Sequence, residues 1–468
     1  MLVTTDTVIN GLSSSFFRNS AIWEGVVYLH TIEKSFMDKI TFVKRLFAIS
    51  FVLCTGCGSP SLPNEQHQNI DEKQNSNILP TPNIKVYMEN SGSMNGYVTG
   101  TTEFEYAVYS YLSDIELANI GVKDSATHKN PIELYYINSK ILNQGNDIAA
   151  FIKDLEPYKF QQQGGNIGTS DISEILSNIL SNHSENDISI LISDCIFSPG
   201  KQYKAKDNAD EYLVNQQIGI RNCFKQKLSI SPDYSIIIMR LISSFDGYYY
   251  NKYDDKQKIK CNRPFYIWIM GNTNQLCRLM NNVDINDIKG SGVKHKCVIT
   301  NINQSYSCSI LPLERKGYFE LDKQDPKTTI VDAKPDTKSD NRIFELTVGI
   351  DFSSALIDDE YLLDPSHYEV SNPAFSIHKI AKNQNQSSSY THKIKLISKE
   401  PIISKGAITL SFVEELPQWV DDLTDLEGQE LVDQEDFEST YGLKYLIGGV
   451  YDAYKDYYKT KLITINIK

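Results

Sequence analysis

Across residues 82–290, short apolar runs alternate with stretches of helical spacing, and this alternation limits the possible folds more than any other feature of the chain. Residues 84–88, 132–137, 188–192, 234–241 and 265–270 read as strands, while 103–117, 147–155, 170–180 and 209–228 carry helical spacing or good helix formers. Strand and helix in alternation predict an α/β fold: a doubly wound, mostly parallel sheet covered by helices on both faces. In such a sheet, ligands sit beyond the carboxyl ends of the strands. This unit is expected to span 83–290.

Beyond residue 293 the helical patterns nearly vanish. Residues 297–301, 307–311, 344–350, 391–397 and 407–412 read as strands separated by polar loops, so 293–412 is expected to form a β-rich, sandwich-like C-terminal domain. The remaining 413–468 reads as an acidic loop over 414–438, a helix over 441–458 and a final strand over 461–468. The acidic stretch lacks Asp-x-Asp-x-Asp-Gly grammar and is expected to be solvated. Gly448 and Gly449 fall inside the helical pattern, where glycine costs stability, and suggest a close packing contact.

The N-terminal part reads as an address. Lys39, Lys44 and Arg45 precede the apolar run 46–53, which is too short for a conventional membrane span, and Cys54-Thr55-Gly56-Cys57 follows. The pattern resembles a bacterial lipoprotein signal, which implies cleavage before Cys57 and lipid attached to that residue. Residues 37–56 are then the signal peptide, Met37 the start, and 1–36 an upstream extension outside the mature protein. Residues 57–82, rich in Ser, Pro, Asn and Gln, read as a flexible tether.

A chain of 468 residues has room for two or three domains, and its net charge of −13 argues against nucleic-acid binding. The six cysteines after Cys57, from Cys195 to Cys308, are too irregularly spaced for a zinc site, and Cys297 with Cys308 is the first pair to test for a disulfide.

Three segments carry chemistry. Glu89-Asn90-Ser91-Gly92-Ser93-Met94 directly follows the first strand and offers a carboxylate and two hydroxyls at alternate positions. Gly164-Gly165-Asn166-Ile167-Gly168-Thr169 is a Gly-rich loop opening a helix, and Ile190-Leu191-Ile192-Ser193-Asp194 is a buried strand ending in a carboxylate. Hydroxyl and carboxylate oxygens suit Mg²⁺ most naturally, with Mn²⁺ or Ca²⁺ possible, whereas zinc prefers His and Cys.

With these segments in this order, 83–290 resembles a von Willebrand factor A-type (vWA) domain, a Rossmann-like fold with a metal-ion-dependent adhesion site. The family's first motif is Asp-x-Ser-x-Ser, followed by a Thr from a second loop and an Asp from the end of a later strand. The resemblance implies metal ligation by Glu89, Ser91, Ser93, Thr169 and Asp194, with Glu89 standing where the family has Asp. It also implies a protein partner that offers an acidic residue to the metal.

Neighbouring features have plainer readings. Asp171 complements the start of its helix. Ser198-Pro199-Gly200-Lys201 lacks the Walker pattern and reads as a turn. The aromatic cluster from Phe245 to Tyr250 reads as hydrophobic loop packing before it reads as a partner surface.

The expected function is that of a lipid-anchored bacterial cell-envelope protein, outer-membrane or periplasm-facing, that grips a protein partner through a divalent cation without a chemical step. The alternatives are a metal-dependent hydrolase using Ser91 or Ser93, or a structural envelope protein with a vestigial metal site. The scattered histidines and the lack of Gly-x-Ser-x-Gly or His-Glu-x-x-His motifs argue against the enzyme.

Overall fold

The computed structural model describes residues 80–162, 164–165, 171–199, 201, 209–300, 306–338, 342–353, 355–357, 359–385, 388–413, 415–455 and 461–468. The expected extension at 1–36, the signal at 37–56, Cys57 and nearly all of the tether lie outside these residues, as does Thr169.

Among the described residues, the first sheet contains β1 (Asn83–Glu89), β2 (Glu133–Ile137), β3 (Ile141–Gly145), β4 (Asp187–Ser193), β5 (Tyr234–Tyr250), β6 (Lys256–Asn272) and β7 (His295–Ile299), in the order β3-β2-β1-β4-β6-β5-β7. Its two faces are both apolar because successive strand residues point to opposite sides. On β1, Ile84, Val86 and Met88 join one core while Tyr87 joins the other; on β4, Ile188, Ile190 and Ile192 oppose Leu191 in the same way. Each such side chain, fully buried, contributes roughly 1.5–3 kcal/mol.

Helices supply the outer layers. Glu103–Ala118 covers one face with Phe104, Val108, Tyr111, Leu112 and Ile115. The Thr102 side chain caps its start by accepting the Glu105 amide, and its chain exits through Asn119 in the left-handed region at φ 52°. Ile172–Ser181, Ala209–Ile230 and Leu443–Lys455 cover the opposite face. Gly449 makes the expected close contact there: a Cβ at that position would lie 2.7 Å from the Gln217 carbonyl oxygen of the Ala209–Ile230 helix. No helix among the described residues is long and apolar enough to cross a membrane.

The α/β layering is therefore present, but the sheet is not mostly parallel. β1 pairs in parallel with β2 and β4, whereas β2–β3, β4–β6, β5–β6 and β5–β7 are antiparallel. The reason lies between β5 and β6, where no helix crosses over. A short turn closed by the Asn251 amide on the Asp255 carbonyl (3.1 Å) sends β6 straight back beside β5. The two strands form a hairpin of 17 residues per arm, far longer than 234–241 and 265–270 suggested.

The boundaries at the C-terminal side also differ from expectation. β7 pairs with β5 and so belongs to the first sheet, not to the β-rich part. That part consists of a four-stranded sheet, β13-β14-β11-β8, and a five-stranded sheet, β12-β15-β18-β10-β9. They comprise β8 (Cys308–Ile310), β9 (Tyr318–Leu321), β10 (Thr329–Lys334), β11 (Phe344–Ile350), β12 (Tyr368–Val370), β13 (Ser376–Lys382), β14 (His392–Ser398), β15 (Gly406–Phe412) and β18 (Lys461–Ile467). Leu346 and Val348 of one sheet and Ile408, Leu410 and Ile465 of the other share a single core. The final strand β18 lies inside this unit, between β15 and β10, although the helix before it belongs to the α/β layers.

The acidic segment is no simple solvated loop. It contains short helices at Gln418–Asp422 and Gln434–Glu438 and a two-stranded pairing of β16 (Thr424–Asp425) with β17 (Thr440–Tyr441). Two buried guanidiniums hold its second helix to the sheet. Arg263 of β6 donates to the Asp436 and Phe437 carbonyls at 3.1 and 2.9 Å, and Arg240 of β5 to the Glu438 carbonyl at 2.6 Å. These bonds add donors to carbonyls in the last turn of that helix, where intrahelical partners run out. Cys297 and Cys308 are both free thiols on strands of different sheets, so the disulfide tested first on sequence grounds is not formed.

Candidate metal centre

β1 and β4 are neighbours, but the chain leaves β1 toward β2 on one side and enters β4 on the other. The carboxyl ends of β1 and β4 therefore mark a topological switch point, the position at which α/β sheets bind ligands. Glu89 is the last residue of β1, and Asp194 follows the last residue of β4.

Ser91 and Ser93 stand on the turn that follows β1. The Met94 amide bonds back to the Ser91 carbonyl at 3.2 Å and begins the 3₁₀ turn Ser93–Val98. This reversal brings the Ser91 and Ser93 hydroxyl oxygens to 3.0 Å from each other. Phe245 of the β5 arm fixes the turn from outside, packing edge-on against Tyr97 with ring centroids 4.9 Å apart. A Cβ on Gly96 would lie 2.3 Å from the Phe245 ring, so only glycine lets the arm approach. The 245–250 cluster thus starts as hydrophobic packing against the site loop.

Glu89 and Asp194 are both buried. Burial and the neighbouring Glu89 charge push the Asp194 pKa up to about 7, while the Ser93 hydroxyl, the Ile196 amide and the more distant Arg263 pull the other way. The Ile196 amide donates to Asp194 Oδ1 at 3.3 Å, whereas Asp194 Oδ2 is buried without a well-formed hydrogen bond and has only the Ser93 hydroxyl near the carboxylate. A buried carboxylate oxygen without a well-formed hydrogen bond is costly. Cys195, immediately after it, adopts φ 57°, a left-handed conformation that non-glycine residues avoid and that turns the chain sharply at the site.

Gly164 and Gly165, the described residues of the Gly-rich segment, are tied to the turn after β1 by a relay of amides. Asn138, just past β2, donates through Nδ2 to Asn90 Oδ1 at 2.8 Å and to the Gly164 carbonyl at 2.9 Å. Asn90 in turn donates to the Phe160 carbonyl at 3.3 Å. Gly165, at φ 78°, passes so close that a Cβ would fall 1.9 Å from Asn138 Oδ1. Asp171 caps the following helix by accepting the Ser173 and Glu174 amides, the helix-start role expected of it. Ser198 donates to Asp254 Oδ1 at 2.6 Å and ties the loop after β4 to the hairpin turn.

Four of the five residues proposed from sequence are thereby brought together at the carboxyl ends of β1 and β4: Glu89, Ser91, Ser93 and Asp194. The sequence reading missed Asn90 and Asn138, which position the second loop, and Ser193, which donates to Glu89 Oε2 and accepts the Cys195 amide at 2.8 Å. One signal could have found Ser193: it is the polar residue that follows Ile190-Leu191-Ile192 and stands next to Asp194. The β1–β4 register Met88↔Ile192 then places Glu89 and Ser193 at the same level, information that only the pairing supplies.

The donor set fits a hard divalent cation. The Glu89 charge disfavours ionisation of the buried Asp194, and the remaining groups are hydroxyls. Among the described residues no group of three or more His, Cys, Asp and Glu side chains is placed to hold a metal ion, so a cation at this site would draw on the serine hydroxyls as well as on the two carboxylates. The described histidines with hydrogen-bonded or stacked partners have them elsewhere, as His183 with Ser189 and His295 with Trp419. No protein-family model, no curated protein and no solved structure matches this chain, so the site's meaning rests on its own geometry.

Proposed function

We propose that this chain is a lipid-anchored cell-envelope protein whose α/β part is a vWA-type domain that binds a protein partner through a divalent cation. The observation that carries the reading is the buried Asp194 carboxylate, its pKa pushed up to about 7 by burial and Glu89, with the hydroxyl pair Ser93 and Ser91 next to it, at the switch point of the sheet. When bound, a cation there supplies positive charge and an open coordination position for an acidic side chain of another protein. Asp194 and Glu89 hold the charge, and Ser91 and Ser93 present hydroxyl oxygens without adding charge, so the bound ion keeps affinity for an external carboxylate. Thr169 belongs to the proposed ligand set through the family resemblance. The β-rich unit then serves as a platform or second contact surface, and Cys57 as the anchor.

The test has two stages. Addition of Mg²⁺ or Mn²⁺ raises the melting temperature of the wild type but not of Ser93→Ala. Partner capture from envelope extracts is then lost with chelator. No cation effect on melting in either protein defeats the proposal, and capture that persists in chelator points instead to a structural role.

A further inference from the structure

Glu89 poses a geometric problem for a cation site. A glutamate has one more rotatable bond than aspartate, and a carboxylate that swings among rotamers is a poor ligand. The end of β4 addresses this. Ser193, fully buried, donates its hydroxyl proton to Glu89 Oε2 and accepts the Cys195 amide at 2.8 Å. One side chain thus touches the carboxylate at the end of β1 and the backbone turn, strained at Cys195, that presents Asp194. A strand serine with a purely local role has no need to span two strands.

We infer that Ser193 is the positioning residue of this centre: through its two hydrogen bonds it sets both the Glu89 carboxylate and the Asp194 turn for cation binding. The inference rests on the proposed cation site and goes beyond it by assigning a residue that does not touch the ion. It also makes sense of glutamate at this position. The longer side chain reaches the Ser193 hydroxyl, so glutamate and serine work as a pair, and an aspartate at 89 stops one carbon short of it.

The experiment is a Mn²⁺ titration of the full chain by electron paramagnetic resonance, run on wild type, Ser193→Ala, Ser193→Thr, Glu89→Asp and the Glu89→Asp/Ser193→Ala double variant. Ser193→Ala is expected to weaken Mn²⁺ about 10–100-fold, the usual cost of losing a group that orients a ligand. Ser193→Thr keeps the hydroxyl and restores affinity. In the Glu89→Asp background, loss of the Ser193 hydroxyl costs much less, because the pair is already broken. Amide exchange at Cys195 quickens in Ser193→Ala even without Mn²⁺. Equal affinity of Ser193→Ala and wild type overturns the inference while leaving the cation site standing, as does an equal loss in both backgrounds. A wild type that binds no Mn²⁺ overturns the site and the inference together.

Discussion

β1 and β4 carry a buried aspartate at each end of their pairing, and the two ends treat it oppositely. Asp187, where β4 begins, is 0% exposed, and Asp194, just past its end, is 2% exposed. Around Asp187 the protein provides a full set of partners: Lys85 at 2.7 Å, the Asn83 amide group at 3.0 Å and the Ser184 backbone amide at 2.7 Å. Burial alone drives its pKa upward, but these three hold it below the ordinary value. Around Asp194, burial and a second carboxylate outweigh the Ser93 hydroxyl, the Ile196 amide and the more distant Arg263, and the pKa rises to about 7. Equal burial with opposite charge balance separates a structural carboxylate from one left for something outside the chain to complete.

The comparison breaks most visibly at the structural end. Lys85→Met leaves Asp187 without its cation and is expected to cost about 3 kcal/mol, because removal of one partner strands a buried charge. Urea unfolding should show this loss whether or not Mg²⁺ is present. The same loss restored by Mg²⁺ would mean that the two ends are not independent.

At the other end the sign reverses. Asp194→Asn removes an uncompensated charge at nearly constant shape and is expected to stabilise the cation-free protein at neutral pH by about 2 kcal/mol. It should also abolish the melting shift produced by Mg²⁺. A destabilised variant that still responds to the cation would place the ligand elsewhere.

Acid titration sharpens the contrast. The folded pKa of Asp194 is raised, so its contribution to stability is fully present below the unfolded value of about 3.9 and is lost as pH climbs through about 7. Asp187, with its pKa lowered, contributes in the opposite sense: present above about 3.9 and lost as pH falls through its depressed value. His183 shares that lower end, hydrogen-bonded to Ser189 at 2.8 Å, and burial pushes its pKa down to about 3. Its contribution is lost as pH falls below about 6.5, which masks the Asp194 slope in the wild type. The difference between wild type and Asp194→Asn isolates it: their stabilities should converge from pH 7 toward pH 4 without cation, and parallel curves rule out the shift.

The smallest expected effect concerns the loops. Gly165→Ala meets Asn138 Oδ1 and is strained at φ 78°, so it should cost about 1–2 kcal/mol and weaken the cation response. A change confined to the Asp187 end leaves that response intact.

Much of the layered core was legible along the chain. The run 188–192 is apolar at every position but Ser189, which suits a strand buried on both faces, and the helix at Ile172–Ser181 announces itself through Asp171 and its spacing of Ile and Leu. The site's oxygens were also legible, because Glu89, Ser91 and Ser93 fall on one short loop and Asp194 ends a strand. Strand direction was not. Nothing local in Tyr234–Tyr250 or Lys256–Asn272 states that the second folds back between the first and β4; that choice depends on the turn at 251–255 and on packing across the sheet. The ordering of the acidic segment was equally hidden, since its anchors Arg240 and Arg263 lie more than 170 residues away in sequence.

The amino-acid order by itself thus determined which segments are apolar on which period, where helices begin and which oxygens lie on the site loops, because these depend on residues within a few positions of one another. Tertiary structure alone decided that β4 lies beside β1, that Glu89 bonds to Ser193 and acts on Asp194 through its charge, and that Asp187 is ion-paired with Lys85 while Asp194 has a second carboxylate nearby. The physical reason is that charge balance and burial are properties of a neighbourhood. Two carboxylates with similar local sequence become a structural residue and a candidate ligand only when folding selects the groups around them.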